Sequence, residues 1–117
     1  MRLTKWRGLK ETPLDDIVRE KRKKVKFSGT PTRFSFEPGR FLESDSLTIL
    51  FSNDERTHTI PCVLNTMESR HTKIVARDYL TIARDKEDSI EVGGYYDWGD
   101  SFFTVEYLKV YDWDTKL

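Results

Sequence analysis

Alternation of apolar and polar residues runs through most of the chain, and this pattern is typical of half-buried β-strands. It begins at Val25, and Phe34 and Phe36 continue it with polar or charged neighbours on either side. The alternating segments are 25–27, 33–37, 47–52, 60–64, 89–96 and 102–111. Clusters of turn-forming residues predict turns or bends at 29–31, 38–39, 52–55 and 97–100. The pattern therefore predicts three or four strands before residue 70 and two after residue 88.

Two segments depart from this alternation and predict helices. Thr12 can accept a hydrogen bond from a free backbone N–H, and Pro13 suits the first position of a helix. That helix is expected to run to about Lys24 and to dock on the domain. The second predicted helix spans 72–85, with a pair of short strands as the alternative. Its apolar face is expected to comprise Ile74, Val75, Tyr79, Ile82 and Ala83.

The order of these elements predicts a mainly β fold, a small barrel that closes its own edges and carries added helices. Residues 1–24 are expected to form an N-terminal arm and amphipathic helix, and residues 25–114 the β-barrel domain. Tyr95 and Tyr96 are neighbours in a predicted strand and must point to opposite faces. The same holds for Phe102 and Phe103. One ring of each pair must therefore be displayed, or be covered by an additional element.

The element order and several short segments resemble the OB-fold single-stranded DNA-binding proteins of bacteria over residues 25–112. The segments that carry the resemblance are 25–29, 47–53, 75–80, 89–94 and 104–110. The resemblance implies a five-stranded Greek-key barrel with a helix between strands 3 and 4. It also implies binding of single-stranded nucleic acid.

The composition suits one small domain. The chain has 117 residues, of which 37% are hydrophobic and 34% are charged. No apolar run approaches the roughly 18 residues needed to span a bilayer. We therefore expect no membrane partner and an intracellular location, in the cytoplasm or in the nucleoid or nucleus. Cys62 is the single cysteine, which excludes an internal disulfide framework, and it is expected to be a small buried hydrophobe.

Charge is distributed unevenly, although the formal net charge is zero. Residues 1–26 carry ten Lys/Arg and four Asp/Glu, a net charge of +6. Residues 85–114 carry nine Asp/Glu and two Lys/Arg, a net charge of −7. This asymmetry indicates a basic arm that meets an anion or that lies on the protein's own acidic end. A solvated helix end is the simpler interpretation of the basic run at 19–26.

Eight aromatic residues lie between residues 89 and 113. Proteins that bind single strands stack bases on aromatic rings and contact phosphates through Lys and Arg. The sequence therefore predicts a non-catalytic protein that binds single-stranded DNA or RNA. The candidate stacking residues are Trp98, Tyr96, Phe51 and Phe34, and the candidate phosphate contacts are Arg33, Arg56 and Lys73.

Three alternatives remain open. The zero net charge and the acidic residues beside the aromatics favour a protein-interaction module that docks a partner, or a second copy, through its aromatic face. The N-terminal helix and Trp6 could instead cover those rings and form a second small core. A pseudobarrel of the B3 kind that reads duplex DNA would need its basic residues gathered on two loops.

Catalytic and metal chemistry find little support. His58 and His71 are 13 residues apart, with no cysteine or carboxylate at metal-ligand spacing. The chain has neither a Gly-x-Ser-x-Gly elbow nor a phosphate-binding loop. For Gly93-Gly94, a bulge or a close backbone approach in a strand is expected. We expect no enzyme activity, no metal and no cofactor.

Overall fold

Six strands and one α-helix make up the part of the chain described by this computed structural model, residues 9–19, 23–37, 46–53, 55–64, 70–96 and 102–114. The strands are β1 (Val25–Glu37), β2 (Ser46–Ser52), β3 (Thr59–Val63), β4 (Ile90–Tyr95), β5 (Phe103–Val110) and β6 (Trp113–Asp114). The helix α1 (Arg70–Lys86) lies between β3 and β4, and a 3-10 helix (Leu14–Arg19) precedes β1. The turns predicted at 38–39 and 97–100 fall outside the described residues.

Five of the strands close into a mixed barrel. Hydrogen-bonded neighbours follow the order β3–β2–β1–β4–β5, and parallel pairing of β3 with β5 completes the circle. The other pairs are antiparallel, including the short β6 on the end of β5. The prediction of a mainly β barrel is confirmed. A closed five-stranded barrel with a helix between β3 and β4 is compatible with an OB-like fold.

The N-terminal segment corrects one prediction, because it forms a six-residue 3-10 helix and not an α-helix from residue 12 to about residue 24. Leu14 and Ile17 are buried, and their spacing of three residues places both on one side of a 3-10 helix. Thr12 is bound to β1, since its backbone N–H donates to the carbonyl of Lys26 at 2.7 Å. The two apolar anchors seen among the described side chains of this segment are too few to hold a longer amphipathic helix on the barrel. Residues 20–22 are outside the described ranges.

The second predicted helix is confirmed in α1, but Ala83 is the one residue of its predicted apolar face that is fully buried. The buried side chains recur every three or four residues, and they are Lys73, Ala76, Leu80 and Ala83. Ile82, expected in the core, is 46% exposed, and Tyr79 is half-buried. Small side chains such as Ala76 let the helix approach the strands closely. In the described part of the chain, no helix has the length and apolar character needed to cross a bilayer.

Each adjacent pair of rings is divided between the two sides of the barrel wall, as the strand period predicts. Tyr96 and Phe103 are buried, and their rings meet edge to face with centroids 5.6 Å apart. Tyr95 is half-exposed and Phe102 is 37% exposed. The prediction that no pair is wholly inside is therefore confirmed.

Gly94 lies where β4 comes closest to β5. A Cβ at this position would be 1.9 Å from the carbonyl oxygen of Thr104 and 2.9 Å from the ring of Phe103. The register between the two strands shifts here, because Gly93 pairs with Tyr107 and Gly94 with Val105. Glu106 is the extra residue of this bulge. Both expectations for Gly93-Gly94, a bulge and a close backbone approach, are confirmed.

Candidate functional site

The outer surface of β1, β2 and β3 presents side chains from all three strands. The register places Arg33 beside Leu50, and Leu50 beside Pro61. Arg33 is exposed, whereas the other two are half-exposed. We call this outer surface the sheet face, and its side chains are Arg33, Ser35, Thr48, Leu50, Thr59 and Pro61. It combines one guanidinium group with hydroxyl and aliphatic groups.

A bulge in β1 decides which residues reach the sheet face. Pro31 pairs with Phe51 and Arg33 pairs with Leu50, so Thr32 is an extra residue with no partner in the register. The hydroxyl of Thr32 donates to the carbonyl of Leu50 at 3.0 Å and holds the two strands together at this point. Because the extra residue inverts the alternation, Arg33 points outward.

Two of the predicted stacking residues lie in the core. Phe51 is fully buried and meets Phe27 edge to face, with centroids 6.0 Å apart and an interplanar angle of 80°. Tyr96 is 4% exposed, and burial raises the pKa of its hydroxyl because a phenolate would lose its hydration. A base cannot stack on a ring that is enclosed in this way. The expectation that Phe51 and Tyr96 are displayed is therefore corrected.

Phe34 packs against α1, and Lys73 lies on the buried side of that helix. Phe34 is half-buried, and the guanidinium of Arg84 lies over its ring, 4.9 Å from the centroid. Lys73 is 3% exposed, since it falls on the buried stripe of α1 with Ala76 and Leu80. Neither residue is therefore placed to meet a base or a phosphate, contrary to the sequence-based expectation.

Arg33 and Arg56 are the exposed members of the predicted set. Arg33 lies on the sheet face, but Arg56 belongs to the turn between β2 and β3 and forms an ion pair with Glu87. Its guanidinium is therefore partly neutralised, although the side chain is 52% exposed. Trp98 falls outside the described residues. The six candidates that the structure describes do not form one surface.

The basic run before β1 contacts the protein's own acidic strands. Lys24 forms an ion pair of 2.9 Å with Glu106. Lys26 is buried with its ammonium 3.8 Å from Glu91, which also accepts a hydrogen bond from the hydroxyl of Tyr107 at 3.3 Å. Of the interpretations left open for this run, the contacts of Lys24 and Lys26 favour the one in which it lies on the acidic end.

A cavity of about 360 Å³ lies between the N-terminal segment and the turn after β2. Its polar walls include Glu11, Ser28, Asn53 and Glu55. Glu11 accepts a hydrogen bond from Ser28, and Asn53 bonds within its own turn, to the backbone N–H of Thr57 and of His58. Two carboxylates make the cavity unsuitable for phosphate. Among the described side chains, no group of three or more His, Cys, Asp and Glu residues could hold a metal ion.

Comparisons of this chain with family models, with curated proteins and with solved structures found no match. The fold and the geometry of the surface are therefore the basis for a functional assignment. Thr48 and Leu50 are parts of the sheet face that the sequence analysis did not single out. Their alternation with the buried Ile49 indicates that both side chains point outward, so the sequence does contain a signal for them.

Proposed function

We propose that this protein is a non-catalytic binding protein for single-stranded nucleic acid and that the sheet face is its binding surface. The proposal rests first on the barrel. In OB-like barrels, the face of strands 2 and 3 and the connections β1–β2 and β4–β5 bind oligonucleotides. On the corresponding face here, Arg33, Ser35 and Thr59 are exposed and Thr48, Leu50 and Pro61 are partly exposed, whereas Ser52 and Val63 at its ends are buried.

The observation that carries the proposal is the exposed Arg33 beside Leu50 in the middle of the sheet face. A guanidinium can contact a phosphate with two parallel hydrogen bonds, and an aliphatic neighbour can pack on a base or sugar. The hydroxyl groups of Ser35, Thr48 and Thr59 add hydrogen-bonding partners that tolerate any sequence.

The stacking part of the proposal depends on the two connections that border such a face. Their sequences contain Arg40 and Phe41 before β2 and Trp98 before β5. Of the four candidate stacking residues, Trp98 is therefore the one to which we assign base stacking. With the basic run paired in part to Glu91 and Glu106, we expect a moderate affinity that depends on few phosphate contacts.

A direct test is fluorescence anisotropy with labelled oligo-dT, oligo-rU and a DNA duplex at two salt concentrations. We expect both single strands to bind, the duplex to bind more weakly, and the affinity to fall as salt is added. Equal binding of the duplex would contradict the proposal and favour the B3-like alternative. A complete lack of binding to all three probes would favour the protein-interaction module, for which the zero net charge also speaks.

A further inference from the structure

The helix α1 has a second apolar stripe beside its fully buried one, and Tyr79 in this stripe packs against the edge of the core. Val75, Tyr79 and Ile82 recur at spacings of four and three residues, so they share one side of the helix. Val75 and Tyr79 are half-buried and Ile82 is 46% exposed. The barrel buries Lys73, Ala76, Leu80 and Ala83 almost completely, whereas the second stripe stays partly exposed.

The short strand β6 extends this stripe. The ring of Trp113 stacks on the ring of Tyr79, with centroids 5.6 Å apart and an interplanar angle of 13°. One turn beyond Ile82, the ammonium of Lys86 lies over the ring of Tyr111, 5.8 Å from its centroid. We call the surface formed by Val75, Tyr79, Ile82, Tyr111 and Trp113 the helix face.

Tyr111, on this surface, has an unusual backbone conformation. Its φ is 56°, in the left-handed region that bulky side chains rarely adopt, and its ring is 42% exposed. The hydroxyl donates to Asp88, which fixes the ring against the end of α1. A strained residue whose ring adds little to the core is a feature associated with functional surfaces.

The charges around the helix face are predominantly negative. Residues 75–88 and 111–114 contain six Asp/Glu and three Lys/Arg, a net charge of −3 in a chain that is neutral as a whole. Arg77 pairs with Asp78 at 3.8 Å and Arg84 with Asp85 at 3.3 Å, and Glu87 pairs with Arg56. The excess of negative charge therefore lies at Asp88, Asp112 and Asp114. Asp112, between the exposed ring of Tyr111 and the half-buried ring of Trp113, is exposed.

We infer that the helix face docks a basic amphipathic segment of another protein. The apolar side chains of that segment cover Ile82 and Trp113, and its Lys or Arg side chains pair with the carboxylates at the rim. A central apolar and aromatic cluster with charges at its edge is the usual arrangement of a protein interface. This surface is separate from the sheet face, so the inference does not depend on nucleic-acid binding.

The test uses a fluorescein-labelled amphipathic peptide composed only of leucine and lysine, with anisotropy as the readout. One control peptide has glutamate in place of lysine, and the other has glycine in place of leucine. We expect the leucine–lysine peptide to bind and both controls to bind at least about fivefold more weakly. Equal binding of the glutamate peptide, or of the glycine peptide, would overturn the inference.

Two variants test whether the peptide binds to the helix face. Ile82→Ser removes the most exposed apolar side chain of the face, and Phe102→Ser removes a comparably exposed one elsewhere. Urea unfolding first establishes that both variants are folded. We expect Ile82→Ser to weaken peptide binding about fivefold or more and Phe102→Ser to leave it unchanged. Equal effects of the two substitutions would overturn the assignment of the surface.

Sedimentation of the protein alone distinguishes a second copy from a different partner. A monomer is the result expected. A dimer that Ile82→Ser dissociates would show that this chain covers its own helix face, and the inference of a basic partner would be wrong. Oligo-dT binding by Ile82→Ser is measured in parallel and is expected to be unchanged, so the two proposals can fail independently.

Discussion

Arg56 and Glu87 form an ion pair although both residues have left-handed backbones, with φ of 58° and 57°. Glu87 follows α1, where its N–H donates to the carbonyl of Arg84 at 3.1 Å and the N–H of Asp88 donates to that of Ala83 at 2.9 Å. These two bonds form a Schellman cap, in which glycine is the favoured residue at the position of Glu87. The ion pair therefore connects the turn after β2 to the end of the helix at the cost of backbone strain.

The strain at Glu87 can be measured by comparing two substitutions. Glu87→Ala and Glu87→Gly both remove the exposed ion pair, but the glycine variant alone relieves the left-handed conformation. We expect the free energy of unfolding of Glu87→Gly to exceed that of Glu87→Ala by about 1 kcal/mol, as measured by urea denaturation. Equal stabilities of the two variants would contradict a strained cap.

Gly94 is expected to be the glycine least tolerant of substitution. In Gly94→Ala, the new Cβ would overlap the carbonyl oxygen of Thr104, a backbone atom that cannot move without breaking the barrel wall. We expect a loss of at least about 3 kcal/mol in the free energy of unfolding, or no folded protein. Gly29→Ala is the matched control, because its nearest neighbours are side-chain atoms of Phe27 and Phe51 at 3.1 Å. If Gly94→Ala lowered the free energy of unfolding no more than Gly29→Ala does, the close approach of β4 to β5 at Gly94 would be contradicted.

Because of Cys62, the free energy of unfolding should fall at alkaline pH. Burial raises the pKa of its thiol well above the usual value of 9.0, because the thiolate would lose its hydration in the core. A raised pKa in the folded state means that the stabilisation is complete below the unfolded pKa and is lost as pH rises above it. From about pH 9, the free energy of unfolding should fall by up to about 1.4 kcal/mol per pH unit.

The control for this effect is Cys62→Val, which removes the thiol and keeps an apolar side chain of similar size. Its stability should stay level until about pH 10, where Tyr96 begins to contribute for the same reason. The wild-type thiol should also be unreactive toward a disulfide reagent in the native state. Similar alkaline profiles in the two proteins would show that Cys62 is not the responsible group.

Arg33 is expected to be the main phosphate contact of the sheet face. Arg33→Ala should weaken oligo-dT binding about fivefold and lower the slope of log K against log salt by about 0.7, the value for one phosphate contact on a single strand. Arg77→Ala, on the helix, is the matched control and should leave both quantities unchanged. Equal losses in the two variants would indicate a diffuse effect of charge and not a contact on this face.

Trp98 is expected to stack on a base and to report binding by fluorescence. Oligo-dT should quench the tryptophan fluorescence of the wild-type protein, and Trp98→Phe should abolish most of that change while a ring remains for stacking. Trp113→Phe should retain it, since Trp113 is stacked on Tyr79. Quenching that persists in Trp98→Phe would remove Trp98 from the proposed surface.

Much of the fold could be predicted from the sequence, because local patterns dominate the formation of its elements. The alternation at 47–51 and the apolar period at 72–85 correspond to β2 and α1. The prediction of an N-terminal α-helix was wrong because its start signals are local, whereas its length depended on burial, which among the described side chains of that segment Leu14 and Ile17 obtain.

The proposed binding surface was harder to predict, because a bulge in β1 inverts the alternation on which it depends. The extra residue Thr32 changes which of its neighbours point outward, as Glu106 does in β5 outside the sheet face, and no local signal marks either of them. In α1, both stripes contain apolar residues, so the period alone could not show that Ala76 and Leu80 face the barrel while Ile82 does not. The prediction that Phe51 and Tyr96 are exposed for stacking was wrong because both rings fill the interior of the barrel.

The pairing of β3 with β5 affects how the chain folds during its synthesis. It joins Cys62 to Phe103 and Val63 to Thr104, residues 41 positions apart, through only two pairs. On the ribosome, the first three strands therefore cannot close into a barrel until β5 has been synthesised. During that interval the unpaired edge of β3 is exposed to other nascent chains, and Pro61, which cannot donate a backbone hydrogen bond, is a defence against aggregation there.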